Sequence, residues 1–230
     1  LDVLLLPLYT RLLTPGEFGL ISLGTALIAA LGLLYPLGLD AALSRLFFDH
    51  ETGSALQHRS VGTIVLGITG LGFTAAVVCS LLGPEPAGRV LAGVSPRFFR
   101  LIVWAAFFNL FAPLWLQLLQ VRQEPRRYLA YALLQGGLRA ALTLTAVAGL
   151  GRGAEGWAEA YLVSAGGAAL IVMPRLREGA SPVVDGPVLG EALTYGLPLL
   201  IHQLAAWATV YAGRLVLNQL VSLSAVGIYQ

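Results

Sequence analysis

Apolar runs as long as a bilayer is thick follow one another along this chain, separated by little more than turns. The hydrocarbon core takes about 20 apolar residues of helix per crossing. On that measure the tail of a first span ends at about Tyr9. Further spans run from about Pro15 to Leu39, Val61 to Leu82, Phe98 to Val121, Arg127 to Leu150, Gly156 to Met173 and Leu193 to Leu220. Backbone groups in lipid must be satisfied within their own segment, so such runs fold as helices. The expected fold class is therefore all-α and transmembrane, a multi-helix bundle. Hydrophobic residues make up 57% of the chain and charged residues 11%, against about 45–50% and 25% in soluble domains. A water-soluble domain is excluded. The 27 Gly and 12 Pro suit helices that approach closely in a membrane.

The corners between runs have local causes. Thr14-Pro15-Gly16-Glu17 is a capping-box start, with Thr14 placed to accept from the Glu17 amide and Pro15 preset for the first helical turn. Gly83-Pro84-Glu85-Pro86 and Gly149-Leu150-Gly151-Arg152-Gly153 read as turns, and Ser181 to Pro187 as a polar linker. This divides the chain into a first unit over 1–180, a cytoplasmic linker over 181–192 and a further unit over 193–230. All fourteen basic residues are Arg. Arg45, Arg59, Arg122, Arg126, Arg127, Arg175 and Arg177 fall in even-numbered loops; Arg11, Arg89, Arg97, Arg100 and Arg152 fall in odd ones. The positive-inside rule then sets the even loops in the cytoplasm.

A short pattern occurs twice. Residues 12–21 read Leu-Leu-Thr-Pro-Gly-Glu-Phe-Gly-Leu-Ile and residues 220–229 read Leu-Val-Ser-Leu-Ser-Ala-Val-Gly-Ile-Tyr, with Gly19 and Gly227 in register. A weak repeat at this distance in a membrane chain points to a transporter of two related halves. The chain opens on Leu1-Asp2-Val3 without an initiator Met or basic n-region, as a helix entered partway. It is expected to hold one half and the start of the next, and not to work without the second half.

Few residues are candidates for function. Arg139 falls within the fifth span, near its midplane, and either faces a water-filled cavity or bonds a neighbouring helix; Arg214, within the seventh, faces a partner or cavity or reaches the headgroups along its own stem. Gln135 lies one turn before Arg139 on the same face. Asn109 and Gln117 are two turns apart in the fourth span, with Pro113 between them as a kink, and either line a path or bond across helices. Asp40 and Arg45 close the second span; five apart, they are poorly placed to pair on a helix, and either line the substrate cavity or anchor the span at the interface. His202 follows Pro198 by one turn and is the candidate for proton coupling, the alternative being a neutral His bonded to a neighbouring helix. No Asp or Glu lies deep within a span. Cys79 is a small hydrophobe in an apolar run. No metal-ligand spacing, nucleophile elbow or phosphate loop is present, so neither catalysis nor a cofactor is expected.

Residues 7–20, Pro-Leu-Tyr-Thr-Arg-Leu-Leu-Thr-Pro-Gly-Glu-Phe-Gly-Leu, followed by Gly38-Leu39-Asp40-Ala41-Ala42-Leu43-Ser44-Arg45-Leu46-Phe47-Phe48, resemble the opening of bacterial polysaccharide biosynthesis flippases. These are the Wzx-like O-antigen and teichoic-acid exporters of the MOP superfamily, which also holds the MATE transporters. Tyr195-Gly196-Leu197-Pro198-Leu199, Gly213-Arg214-Leu215 and Val226-Gly227-Ile228-Tyr229 resemble the start of that family's second half. Members often carry Asp before the Arg of the seventh span; here Gly213 stands there.

The resemblance implies the N-terminal six-helix half of such a fold, plus the first helix of the second half. It implies a multi-pass protein of the bacterial inner membrane that moves an undecaprenyl-pyrophosphate-linked glycan by alternating access. Its partners would be the lipid-linked glycan, membrane lipids and polysaccharide polymerase machinery, with no nucleic acid. Arg139 and Arg214 would hold the pyrophosphate, guanidinium being permanently charged and suited to phosphate. The rival readings are a MATE-type drug or small-cation exporter, which wants carboxylates in the membrane, a membrane-embedded glycan polymerase or ligase, and a non-transporting scaffold.

Overall fold

Thr14 begins a helix as its sequence requires. In the computed structural model, which describes residues 13–49, 53–91, 93–178 and 180–229, the Glu17 amide donates to the Thr14 hydroxyl at 3.3 Å and the Thr14 amide donates to the Glu17 carboxylate at 2.9 Å. Pro15 opens α1 (Pro15–Leu34). Thr14→Ala is expected to cost about 1 kcal/mol of stability, and Thr14→Ser much less, read as the midpoint of thermal unfolding in detergent. The first span, Arg11 and the motif residues before Leu13 lie outside the described residues.

The second span does not run unbroken to Leu39. Tyr35-Pro36-Leu37-Gly38 turns the chain, with Leu37 at φ 51° and Gly38 at φ 79°, and α2 (Leu39–Phe48) continues beyond it. Pro36 cannot donate to the preceding helical turn, which helps end α1 there. Next come α3 (Ala55–Leu82), capped by Ser54, and α4 (Pro84–Val90), a short helix where Gly83-Pro84-Glu85-Pro86 read as a turn, because proline is at home in a helix's first turn. The fourth span is broken where Pro113 predicts: α5 (Pro96–Asn109) and α6 (Phe111–Val121) meet at Leu110. α7 (Pro125–Leu144) ends in a π-helical turn, Thr145–Gly149, and α8 (Gly153–Arg177) follows. α9 (Gly186–Leu220) begins earlier than Leu193, since Asp185 accepts from the Val188 amide at 3.4 Å and caps it. The expected linker is thus already helical from 186. Pro198 lies inside α9 without breaking it. α10 (Leu223–Tyr229) completes the order.

Among the described residues five helical segments are long and apolar enough to cross a membrane: α1, α3, Pro96–Val121, Pro125–Gly149 and α8. α9 has the length but is not among them, its run being diluted by His202, Gln203 and Arg214. The chain is thus an all-α multi-pass membrane bundle. Its loops sort into two ends. At one end Arg97 pairs with Glu155 and Glu159, and Arg152 also pairs with Glu159, joining the starts of α5 and α8. At the other, the Ser181 amide donates to the His58 carbonyl at 2.9 Å, joining the link after α8 to the start of α3.

The core is centred on α5 and α6. Phe98, Ile102, Phe111, Leu118 and Leu119 are fully buried, and α5 packs most extensively on α8. Phe73, Trp104, Phe107, Phe108 and Phe111 form a chain of aromatic contacts with centroids 5.2–6.3 Å apart. Lipid offers apolar side chains as good a home as protein does, so this packing stabilises through close van der Waals fit.

The repeated pattern packs against itself. A Cβ on Gly19 would lie 2.0 Å from the Leu223 carbonyl oxygen, and one on Gly227 would lie 2.1 Å from the Pro15 carbonyl oxygen. Pro15 and Leu223 are themselves equivalent positions, each four before its glycine. The contact is therefore reciprocal, the geometry of a local two-fold. A second reciprocal approach joins Gly38 and Gly196, where a Cβ on either would fall 2.3–2.4 Å from the other's carbonyl oxygen. Between these points the Trp207 indole donates to the Ala26 carbonyl at 3.1 Å. α9 and α10 thus follow α1 closely, by backbone contact that only glycine permits at these positions.

Candidate functional site

Three spans bring polar side chains together away from the ends of those spans. Asn109 ends α5 because Pro113 withholds the amide that would have bonded the Asn109 carbonyl. Arg139 comes from the interior of α7, and Tyr161 from α8, one turn after Trp157, whose ring centroid is 5.5 Å from its own. Arg139 Nη1 donates to the Tyr161 hydroxyl at 3.3 Å, and that hydroxyl donates to Asn109 Oδ1 at 3.4 Å. The guanidinium carbon also stands 5.3 Å from the Tyr161 ring centroid. Arg139 is half-buried. The arrangement presents a fixed cation at a depth where one is costly, about 2.5 to 3.5 kcal/mol on insertion scales.

The other sequence candidates sit elsewhere. Asn109 and Gln117 do not share a path, because the break at Leu110 separates them. The Gln117 amide donates to the Asp40 carbonyl at 2.8 Å and to Ser44 Oγ at 2.9 Å, fastening α6 to α2. Asp40 Oδ1 is buried and has no hydrogen-bond partner among the described residues. Arg45 turns away from Asp40, pairing with Asp49 at 3.5 Å and Glu191 at 3.7 Å and lying 4.8 Å over the Tyr195 ring. These are exposed pairs, worth little to stability. Arg214 stands 5.0 Å over the ring of Tyr211 on its own helix, so its contacts are separate from those of Arg139. Gln135 is half-buried and unbonded among the described residues, and His202 is exposed on α9.

Tyr161 was not singled out by sequence. The available signal was an aromatic with a polar tip inside an apolar run, whose hydroxyl needs a partner when buried.

A sequence model of the family described as polysaccharide biosynthesis protein matches residues 1–230. The chain belongs to that family. Neither the curated proteins nor the solved structures contain a match. For a polysaccharide biosynthesis protein, acting in polysaccharide synthesis or export, the half-buried Arg139 guanidinium, bonded to Tyr161 and through it to Asn109, is a cation of the kind that suits phosphate. Tyrosine, itself held by asparagine, orients one arm of the guanidinium fork.

Proposed function

We propose that this protein is a flippase, translocating undecaprenyl-pyrophosphate-linked oligosaccharide of the O-antigen, capsule or teichoic-acid type across the bacterial inner membrane by alternating access. The observation that carries the reading is the Arg139–Tyr161–Asn109 network in a family concerned with polysaccharides. The cation holds the pyrophosphate, and the lipid tail stays in the bilayer. Even-numbered loops, richer in Arg, face the cytoplasm. The chemistry asked of the protein is positioning and translocation, with no catalytic step.

The test is complementation. Expressed from its full-length parent gene in a host lacking its own O-antigen or capsule flippase, the protein restores surface glycan; no restoration across hosts of several glycan types, with the protein present in the membrane, overturns the reading. One observation favours a second reading, a MATE-type drug or small-cation exporter: the Asp40 carboxylate, half-buried with its buried Oδ1 unpartnered among the described residues, is a group a cation would use. Efflux lost in Asp40→Asn, with no glycan phenotype, would select it.

A further inference from the structure

Between α6, α7 and α8, at the Arg-rich end of the bundle, lies a cavity of about 460 Å³. Tyr131 in its wall is buried, and its hydroxyl has no hydrogen-bond partner among the described residues. Arg175 is the charged neighbour that acts on that hydroxyl. Its guanidinium makes one bond, to the Ile171 carbonyl of its own helix at 3.0 Å, and has no carboxylate partner among the described residues. Arg127 stands at the same cavity, held through Nη1 by Glu124 at 2.7 Å. Leu134 and Ile171 continue the wall with exposed apolar surface. Glu178 is the one carboxylate in the lining, against two guanidiniums.

A buried hydroxyl without a partner is costly, so it marks a place where an acceptor belongs. Two cations beside it call for an anionic acceptor, and the apolar wall running on toward the bilayer calls for a chain attached to it. The volume suits a small headgroup and excludes an oligosaccharide. We propose that this cavity binds an anionic phospholipid of the adjacent leaflet. Its phosphate lies between Arg127 and Arg175 and accepts from the Tyr131 hydroxyl; an acyl chain lies along Leu134 and Ile171. The site is separate from the Arg139 network and independent of the substrate proposed above.

The experiment is thermal unfolding of the purified full chain in neutral detergent, titrated with phosphatidylglycerol or phosphatidylcholine. Phosphatidylglycerol raises the midpoint by selective binding to the folded state, and phosphatidylcholine does not. Arg175→Gln weakens the apparent affinity about ten-fold, the loss of one charge-assisted bond. Tyr131→Phe, which keeps the ring and removes only the unpartnered hydroxyl, weakens it less while leaving the lipid-free midpoint unchanged or higher. Arg139→Ala keeps the full response, so a failed substrate assignment leaves this result intact. Equal responses to the two lipids, or an unchanged titration in both Arg175→Gln and Tyr131→Phe, would overturn the proposal. So would a response to a polyprenyl pyrophosphate and none to phosphatidylglycerol, which would make the cavity a substrate site.

Discussion

Gly19→Val is expected to lower stability by about 3 kcal/mol, the upper range for overpacking a tight contact. The atom a Cβ would strike is the Leu223 carbonyl oxygen, at 2.0 Å, and backbone cannot swing aside as a side chain can. The only relief is to separate α1 from α10. Gly227→Val opens the same gap from the other side, against the Pro15 carbonyl, and should cost a similar amount. Because one separation relieves both clashes, the double variant should cost well below the sum of the singles. Gly32→Val is the control: it is in the same helix, and a Cβ there meets nothing within 4 Å. Unfolding midpoints in detergent decide the matter. If Gly19→Val and Gly32→Val behaved alike, or if the double variant were additive, the reciprocal contact would not be the tie that joins these helices.

That contact shows what could be read from sequence and what could not. The repeat and the register of Gly19 with Gly227 were visible as letters, but nothing in a linear pattern says that two copies of a corner will touch each other. The helices were legible because lipid leaves backbone no alternative, and Thr14 and Pro113 acted as their chemistry dictates through local geometry alone. Where tertiary partners decide, the reading fell short. Arg45 was weighed against Asp40, its near neighbour in sequence, yet its partners are Asp49 one turn on and Glu191 on another helix. Gln117 does bond across helices, one of its two sequence readings, but its partners on α2, a backbone carbonyl and Ser44, are advertised by no side-chain pattern. Leucine does not signal left-handed backbone, so the turn at Leu37 is not legible in the sequence. Attention to charge found Arg139, while the neutral hydroxyl that positions it, Tyr161, gave no comparable signal.

Arg139→Ala is expected to abolish glycan export in the complementation assay while the protein accumulates in the membrane as before. A charged hydrogen bond contributes about 1.5 to 3 kcal/mol, and 1.4 kcal/mol is about ten-fold in affinity. Loss of a guanidinium placed to make two bonds to a pyrophosphate therefore lowers substrate affinity by about two orders of magnitude or more. Arg139→Lys keeps the charge and loses the fork, so it should export at an intermediate level. Tyr161→Phe separates positioning from charge: the ring remains beneath the guanidinium, the bonds to Arg139 and Asn109 go, and stability falls by about 1 kcal/mol with export reduced but present. The order wild type, Tyr161→Phe, Arg139→Lys, Arg139→Ala is the signature of a phosphate-holding cation. If Arg139→Ala exported at the wild-type level and lost only stability, Arg139 would be a bond between α7 and α8 and nothing more, and the flippase reading would lose the residue on which it rests.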